Sequence, residues 1–239
     1  MKDFRKKYIK TIRLNSFRPL CMTDIGLRAV NQYGFPPFID ASCRREPDLE
    51  NINPSITALC RQEMFAPNLF PNDIIVYITV KGKWLTDYDH YRLIAILVVI
   101  DKKETHSSAA VWYRNNNIDL PSNCMVDDNP PHQFHETAGN YEKTTDIRKF
   151  LSYNEDKQKT IGNRRVEIWN NDYLEKSKKW GDFVITKPVF TQLTNPPILT
   201  EENMRTIFGK VPNTRNPNII TKEQLRNLAT YADINFIYE

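Results

Sequence analysis

Three aromatic residues stand close to the two most apolar segments of the chain, and their rings could do the chemistry of base stacking. Trp84 follows the segment Ile74–Val80, and Trp112 and Tyr113 follow the segment Arg92–Ile100. Rings of this kind hold bases that are flipped out of a duplex or are single-stranded. The sequence therefore predicts a pocket with these three rings as its walls. The alternative is that each ring only packs in the core.

Polar and basic residues elsewhere in the sequence could supply the other groups of such a pocket. Side chains with hydrogen-bonding groups can contact the edge of a base, and guanidinium groups can contact phosphates. The candidates are Asp24, Ser42 and Asn123 for the base edge, and Arg44, Arg45 and Arg114 for the phosphates. The hypothesis requires these polar and basic residues to line the same pocket as the aromatic residues.

Histidines and cysteines suggest further chemistry. His132 and His135 stand three apart and could join a zinc site, but a solvated loop explains them more simply. Cys43 precedes Arg44 and Arg45, whose charges would favour a thiolate, and the alternative is a small buried residue. The sequence has no C-x-x-C pair, phosphate-binding glycine loop or H-E-x-x-H motif. We therefore predict no metal, no cofactor and no catalytic residue.

An enzyme remains the competing class. Asp24, Glu46, Asp48 or a histidine could serve a nuclease or an enzyme that excises bases. A third class is a protein-interaction module that makes no contact with nucleic acid. Carboxylates grouped with a histidine on the floor of a pocket would favour the enzyme.

Composition narrows the class of protein. The chain has 239 residues, of which 40% are hydrophobic and 26% charged, which is ordinary for a globular protein. Its net charge of +4 permits a polyanionic partner without requiring one. The longest apolar run, Leu93–Ile100, is far shorter than the roughly 20 residues that cross a bilayer. Together with four scattered cysteines, this predicts a cytoplasmic protein that does not enter a membrane.

The pattern of apolar residues predicts the elements that would position these groups. Two buried strands, Ile74–Val80 and Arg92–Ile100, form the centre because each is apolar at nearly every position. The other predicted elements are a helix over Ser55–Met64, strands over Val166–Trp169 and Gly181–Thr186, and capped helices over Thr200–Phe208 and Thr221–Tyr231.

The order of these features resembles the PUA-like superfamily, which includes the EVE, ASCH and YTH domains. The similarity lies in a turn that ends at Asp73, the strand Ile74–Thr79 and its partner Leu93–Ile100. The superfamily has glycine before the aspartate, where this chain has Asn72.

The front segment is also similar to nucleotide-modification-associated domains. This similarity lies in Asp24–Gly26, Phe35–Phe38 and the string Cys43–Arg45, and the whole resemblance covers about residues 20 to 126. It implies a pocket for a modified base and a role in modified-DNA metabolism or phage defence.

These observations lead to one expectation for fold and function. We expect an α+β fold with a strongly curved mixed sheet or open β-barrel, flanking helices and a C-terminal helical extension. Residues 1–199 would form the domain, and residues 200–239 the extension packed on it. The expected function is non-catalytic recognition of a modified base in nucleic acid, DNA rather than RNA.

Overall fold

The computed structural model describes residues 11–61, 64–139 and 144–235. Within these ranges the chain has an α+β fold with seven strands in one mixed sheet and six α-helices. The strands are β1 (Ile12–Phe17), β2 (Ser55–Thr57), β3 (Ile74–Thr79), β4 (Tyr91–Lys103), β5 (Phe183–Thr191), β6 (Ile198–Leu199) and β7 (Asn218–Ile220). The helices are α1 (Asp24–Tyr33), α2 (His106–Asn115), α3 (Thr144–Leu151), α4 (Glu155–Lys179), α5 (Glu201–Phe208) and α6 (Lys222–Tyr231).

The predicted central strands are confirmed. The order of the sheet is β2-β5-β4-β3-β1-β7, and the short β6 pairs with the start of β4. Strands β3 and β4 are antiparallel neighbours in the middle, and β1 runs parallel to β3. All six residues of β3 are buried, as expected for a strand that is covered on both faces.

The two faces of the sheet carry different layers. Ile75 and Tyr77 of β3 pack on one face, in the core cluster that also holds Phe17. Val76 and Ile78 point to the opposite face, because successive side chains of a strand alternate, and they pack there with residues of α5 and α6. The first face lies under the long connection between α1 and β2 and under part of α4.

The predicted strand Val166–Trp169 is wrong, because these residues belong to α4. Val166, Trp169 and Tyr173 fall on one side of this helix, with a spacing of three and four residues, and pack together. Asn154 caps its start by accepting a hydrogen bond from the Lys157 backbone N–H. Val166, Ile168 and Trp169 form a short apolar string that resembles a strand in sequence, but in the structure they belong to one 25-residue helix.

The predicted helix Ser55–Met64 is also wrong. Its first residues form β2, which pairs with β5 in the order Ser55 to Ile185, Ile56 to Val184 and Thr57 to Phe183. Residues 62 and 63 lie outside the described ranges. Pairing with a buried strand satisfies the backbone here and overrides the helical spacing of the apolar residues.

The C-terminal helices are confirmed as α5 and α6, each with a threonine cap. Between them, β7 pairs with β1 in antiparallel fashion and extends the sheet. Residues after 199 therefore add both a strand and a covering layer. None of the helices within the described ranges is long and apolar enough to cross a membrane.

Candidate functional site

The structure does not form the predicted aromatic cage. Trp84 is 6% exposed and packs in the cluster that includes Val184, with its indole Nε1 donating to the Val80 carbonyl at 2.8 Å. Tyr113 is fully buried in another cluster with Phe183 and Ile185. Because consecutive residues of β5 point to opposite faces, Trp84 and Tyr113 lie on opposite sides of the sheet.

Trp112 stays with Tyr113 and away from Trp84. The two rings of α2 are 5.1 Å apart between centroids, in an edge-to-face arrangement. The Tyr113 hydroxyl donates to the Asn53 carbonyl at 2.7 Å, so its polar end is already used. The prediction of a cage formed by these three rings is therefore wrong: Trp84 and Tyr113 are core residues, and Trp112 is half-buried against the cluster of Tyr113.

The arginine pair predicted to bind phosphates holds loops together instead. Arg45 is fully buried, and its guanidinium donates to the carbonyls of Asp40, Ser42 and Glu136 and pairs with Glu50 at 3.2 Å. Its backbone has φ 37° in the left-handed region, which this set of contacts holds in place. A guanidinium with these partners is not available to a phosphate.

Arg44 plays the same part on the other side of the loop. Its Nε donates to Asn170 Oδ1 at 2.7 Å, and its Nη1 donates to the carbonyls of Ser122 and Asn129. Arg114 is exposed and forms an ion pair with Asp128 at 2.6 Å. The arrangement therefore contradicts the assignment of Arg44 and Arg45 to phosphates, whereas the exposed Arg114 does not line the cavity described below.

A cavity of about 500 Å³ lies on the same face of the sheet as Tyr77. Its walls include five aromatic side chains, and the loop after α1 contributes three polar residues. The aromatic residues are Phe17, Phe65, Tyr77, Trp169 and Tyr173, the loop residues are Asp40, Ser42 and Glu46, and Asn15 of β1 is a further polar residue. Of the six residues predicted to contact a base, Ser42 is the one that lines this cavity.

Asp24 and Asn123 lie outside the cavity wall. Asp24 is exposed in the first turn of α1. Asn123 is fully buried behind the cavity, where its amide nitrogen donates to Glu46 Oε2 at 3.1 Å and its oxygen accepts from the Ser55 hydroxyl at 2.6 Å. Asn123 therefore positions a residue of the cavity rather than contacting its contents.

Glu46 is the most strongly held polar side chain of the cavity. Its Oε1 accepts the Thr57 backbone N–H at 2.8 Å, and its Oε2 contacts the Thr57 hydroxyl at 2.5 Å. Desolvation raises the pKa of Glu46 to about 8, although the hydrogen bonds from Thr57 oppose the shift. The carboxyl group is therefore mostly protonated at neutral pH.

Asp40 supplies a second carboxyl group to the same cavity. Its Oδ1 accepts the backbone N–H groups of Ser42 and Glu46 at 2.9 and 3.0 Å. Desolvation raises the pKa of Asp40, and the nearby Arg45 opposes this shift. The two backbone donors converge on Oδ1, and the Ser42 hydroxyl is the side-chain donor beside the carboxyl group.

Ser42 carries an unsatisfied polar atom. The side chain is 6% exposed and lies beside the carboxyl group of Asp40 and the hydroxyl of Tyr173. Its Oγ is nevertheless without a hydrogen-bond partner of acceptable geometry within the described residues. Buried polar atoms are rarely left in this state, so a ligand or water in the cavity is the natural partner.

The mouth of the cavity carries positive charge. Arg18 and Arg215 line the cavity and are exposed, and neither forms an ion pair with a carboxylate of the described residues. Arg61 also lines the cavity, but its guanidinium donates to the carbonyls of Ser16, Thr214 and Arg215 and ties the loop before β7 to β1. Two guanidinium groups therefore remain for an anionic ligand.

The cysteines do not provide a nucleophile. Burial raises the pKa of the Cys43 thiol to about 12 and outweighs Arg44, so the thiolate interpretation is wrong. Cys60 lines the cavity at an exposed position, and partial desolvation and the carboxyl groups of Glu46 and Asp40 raise the pKa of its thiol. Both remain thiols at neutral pH and are poor nucleophiles in that form.

The histidines are also separate from the cavity. His132 contacts Glu136 at 3.4 Å, and His135 packs against the ring of Tyr33. His106 is buried against Phe183, and its Nδ1 accepts the Met125 backbone N–H. No group of three His, Cys, Asp or Glu residues in the described ranges could hold a metal ion.

The competing catalytic carboxylates are likewise divided. Glu46 lines the cavity, whereas Asp48 accepts the backbone N–H and hydroxyl of Ser122 through Oδ2 and organises a turn through Oδ1. Asp40 and Tyr173 were not predicted as cavity residues. Asp40 could have been found, because it lies within a few residues of Ser42 and Glu46. No sequence pattern links these residues to Tyr173 on α4.

Comparison with known proteins adds no relative to this description. No family model, curated protein or solved structure matches the chain.

Proposed function

We propose that this chain binds a modified base of nucleic acid in the cavity formed around Asp40, Ser42 and Glu46. The observation that carries the proposal is the combination of aromatic walls, buried hydrogen-bonding groups and an arginine-bearing mouth. Flipped bases are held in this way, by rings on their faces and polar groups at their edges. Arg18 and Arg215 take the place of the arginines first assigned to the phosphates.

The size of the cavity supports a base that carries a substituent. Pockets for small organic ligands range from about 300 to 1,000 Å³, and this cavity has about 500 Å³. That volume accommodates a base together with an added group. The proposed ligand is a base in DNA. The resemblance to nucleotide-modification-associated domains implies a role in modified-DNA metabolism or phage defence.

The PUA-like architecture belongs to the same proposal. The irregularities in strand pairing between Tyr77 and Ile78, and at two places along β4 and β5, support a sheet with strong curvature. Such curvature gives the sheet a concave face, and the cavity lies against Tyr77 of β3. The turn that ends at Asp73 is held by its carboxylate, which accepts the N–H groups of Thr11 and Phe70.

Binding to a panel of oligonucleotides tests the proposal. Fluorescence anisotropy would compare duplex and single-stranded DNA with plain or modified bases at two salt concentrations. Cys60→Trp places a large ring at the exposed edge of the cavity and should lose binding to modified DNA, whereas Ile219→Trp, at a 72% exposed position of β7, should retain it. If both variants bound all the oligonucleotides equally, binding would reflect only the general attraction of a basic surface for DNA.

One observation favours a second candidate, an enzyme that cleaves the bond between base and sugar. Asp40 and Glu46 are two carboxyl groups in one cavity, and Glu46 with a pKa of about 8 could donate its proton to the departing base. Water would add to the sugar carbon and lose a proton to Asp40. Release of free base from the bound oligonucleotide, detected by chromatography, would identify this activity, and stable recovery of the oligonucleotide would exclude it.

A further inference from the structure

The interior of the cavity is acidic, although its mouth is basic. Asp40 and Glu46 both present carboxyl groups there. The nearest buried guanidinium, that of Arg45, is turned to three carbonyls and Glu50. Arg61 is likewise held by carbonyls. The interior therefore offers hydrogen-bond acceptors, and the guanidinium groups beside it donate their hydrogen bonds to other partners.

An unsatisfied hydroxyl stands at the same place. Ser42 Oγ is buried, makes no hydrogen bond of acceptable geometry within the described residues, and lies beside Asp40 and Tyr173. Asp40 Oδ1 already accepts two backbone N–H groups, whereas no backbone N–H of the described residues donates to Oδ2, which has room for a ligand donor beside the Ser42 hydroxyl. A group with several N–H donors would satisfy Asp40 Oδ2 and Ser42 Oγ together.

We propose that the cavity selects a base whose substituent carries a primary amine, docked between Asp40 and Ser42. This inference rests on the proposed function and names its ligand class. An ammonium group has three N–H donors and a positive charge, which match the hydroxyl oxygen of Ser42 and the carboxylate of Asp40. A neutral substituent of equal size leaves the charge of Asp40 without a partner inside the cavity.

Burial is consistent with this ligand. Desolvation raises the pKa of both carboxyl groups, and Arg45 opposes the shift at Asp40 only in part. A bound ammonium supplies that compensation at Asp40. The aromatic walls, among them Tyr77 and Trp169, can also contact a cation through their faces.

Two oligonucleotides of one sequence provide the test. One carries 5-aminomethyl-2′-deoxyuridine and the other 5-hydroxymethyl-2′-deoxyuridine at the same position, so the substituents differ in charge and hardly in size. We expect the aminomethyl oligonucleotide to bind about 10- to 100-fold more tightly, the range that one well-placed charged hydrogen-bonding group provides. Equal affinity for the two oligonucleotides would overturn the inference.

Variants locate the selection within the cavity. Asp40→Asn can still accept the two backbone N–H groups through its amide oxygen, and it should abolish the preference for the amine. Ser42→Ala should reduce the preference by about tenfold, because one acceptor is lost. Asp24→Asn, at an exposed carboxylate of α1, is the matched control and should leave it unchanged. A preference that survives Asp40→Asn would also overturn the inference.

The outcomes separate the inference from the proposed function. If both oligonucleotides bind equally and Cys60→Trp abolishes both, the base pocket stands and the amine selection fails. If neither oligonucleotide nor any other modified DNA binds, the proposed function itself fails. Circular dichroism and thermal unfolding of each variant establish that the changes in binding occur in folded protein.

Discussion

Oε2 of Glu46 lies 2.5 Å from the hydroxyl oxygen of Thr57, inside the core of the protein. The same carboxyl group accepts the Thr57 backbone N–H and the Asn123 amide, so three donors surround it. Burial still favours the neutral acid and raises the pKa of Glu46 to about 8. The three donors favour the ionised carboxylate and oppose the shift, but desolvation outweighs them.

The stability of the protein should therefore decrease as the pH rises. Between about 4.5 and about 8 the native state keeps a proton on Glu46 that the unfolded chain has released, so the free energy of unfolding falls through this window. Glu46→Gln, which cannot ionise, should reduce the fall by at least about 1 kcal/mol. Urea denaturation at about pH 5 and about pH 8.5 measures the difference.

Glu223→Gln is the control for this prediction. Glu223 is exposed on α6, so its replacement should leave the dependence on pH as it is in the wild type. If Glu46→Gln and Glu223→Gln gave the same dependence, Glu46 would not hold a proton in the native state.

Arg45 should contribute to stability rather than to binding. Replacement by lysine leaves carbonyls of Asp40, Ser42 and Glu136 without donors, because one ammonium cannot reach all three. We expect a loss of about 3 kcal/mol in the free energy of unfolding, typical of a broken buried charge network. Urea denaturation checks this value.

The exposed Arg114 provides the comparison. Arg114→Lys keeps a surface ion pair with Asp128 and should change stability by less than about 1 kcal/mol. Equal losses for Arg45→Lys and Arg114→Lys would contradict the role of Arg45 as a link between loops.

The central strands could be predicted from sequence, because runs such as Ile74–Thr79 are apolar at nearly every position and must be covered on both faces. The capped helices α5 and α6 could also be predicted, since threonine caps and Gly209 mark their ends. Strand β2, at the start of the segment predicted as a helix, could not be predicted, because its pairing partner β5 lies more than 120 residues later.

The site was only partly predictable for a similar reason. Ser42 and Glu46 belong to one string, and polar residues in a turn indicate a site without saying which of them face a cavity. Arg44 and Arg45 looked like phosphate ligands, but their burial depends on carbonyls such as that of Glu136, far along the chain. Periodicity carries no information about such distant partners.

Replacement of Trp169 and of Trp112, which both lie on helices, should affect the binding of modified DNA differently. Trp169 lines the cavity from α4, whereas Trp112 packs on the cluster around Tyr113. Trp169→Leu should weaken binding of modified DNA by about tenfold or more, because stacking contributes roughly 1–3 kcal/mol per base. Trp112→Leu should leave affinity within about twofold. Anisotropy titrations of the folded variants compare the two affinities. A larger loss of affinity for Trp112→Leu than for Trp169→Leu would favour the aromatic cage expected from the sequence.

Arginines at the mouth should control the salt dependence of binding. Arg18→Ala and Arg215→Ala should each weaken binding and lower the slope of log affinity against log salt by about 1, because one phosphate contact is lost. Arg226→Ala, at an exposed position of α6 on the other face of the sheet, should change neither quantity. Equal slopes for all three variants would place the phosphates elsewhere on the surface.

A crystal structure of the protein with a short DNA that carries an aminomethyl-modified base tests the central claim most directly. The account predicts the base inside the cavity, between the rings of Tyr77 and Trp169, with its amine within about 3 Å of Asp40 and Ser42. An empty cavity with the DNA bound on another surface would contradict it.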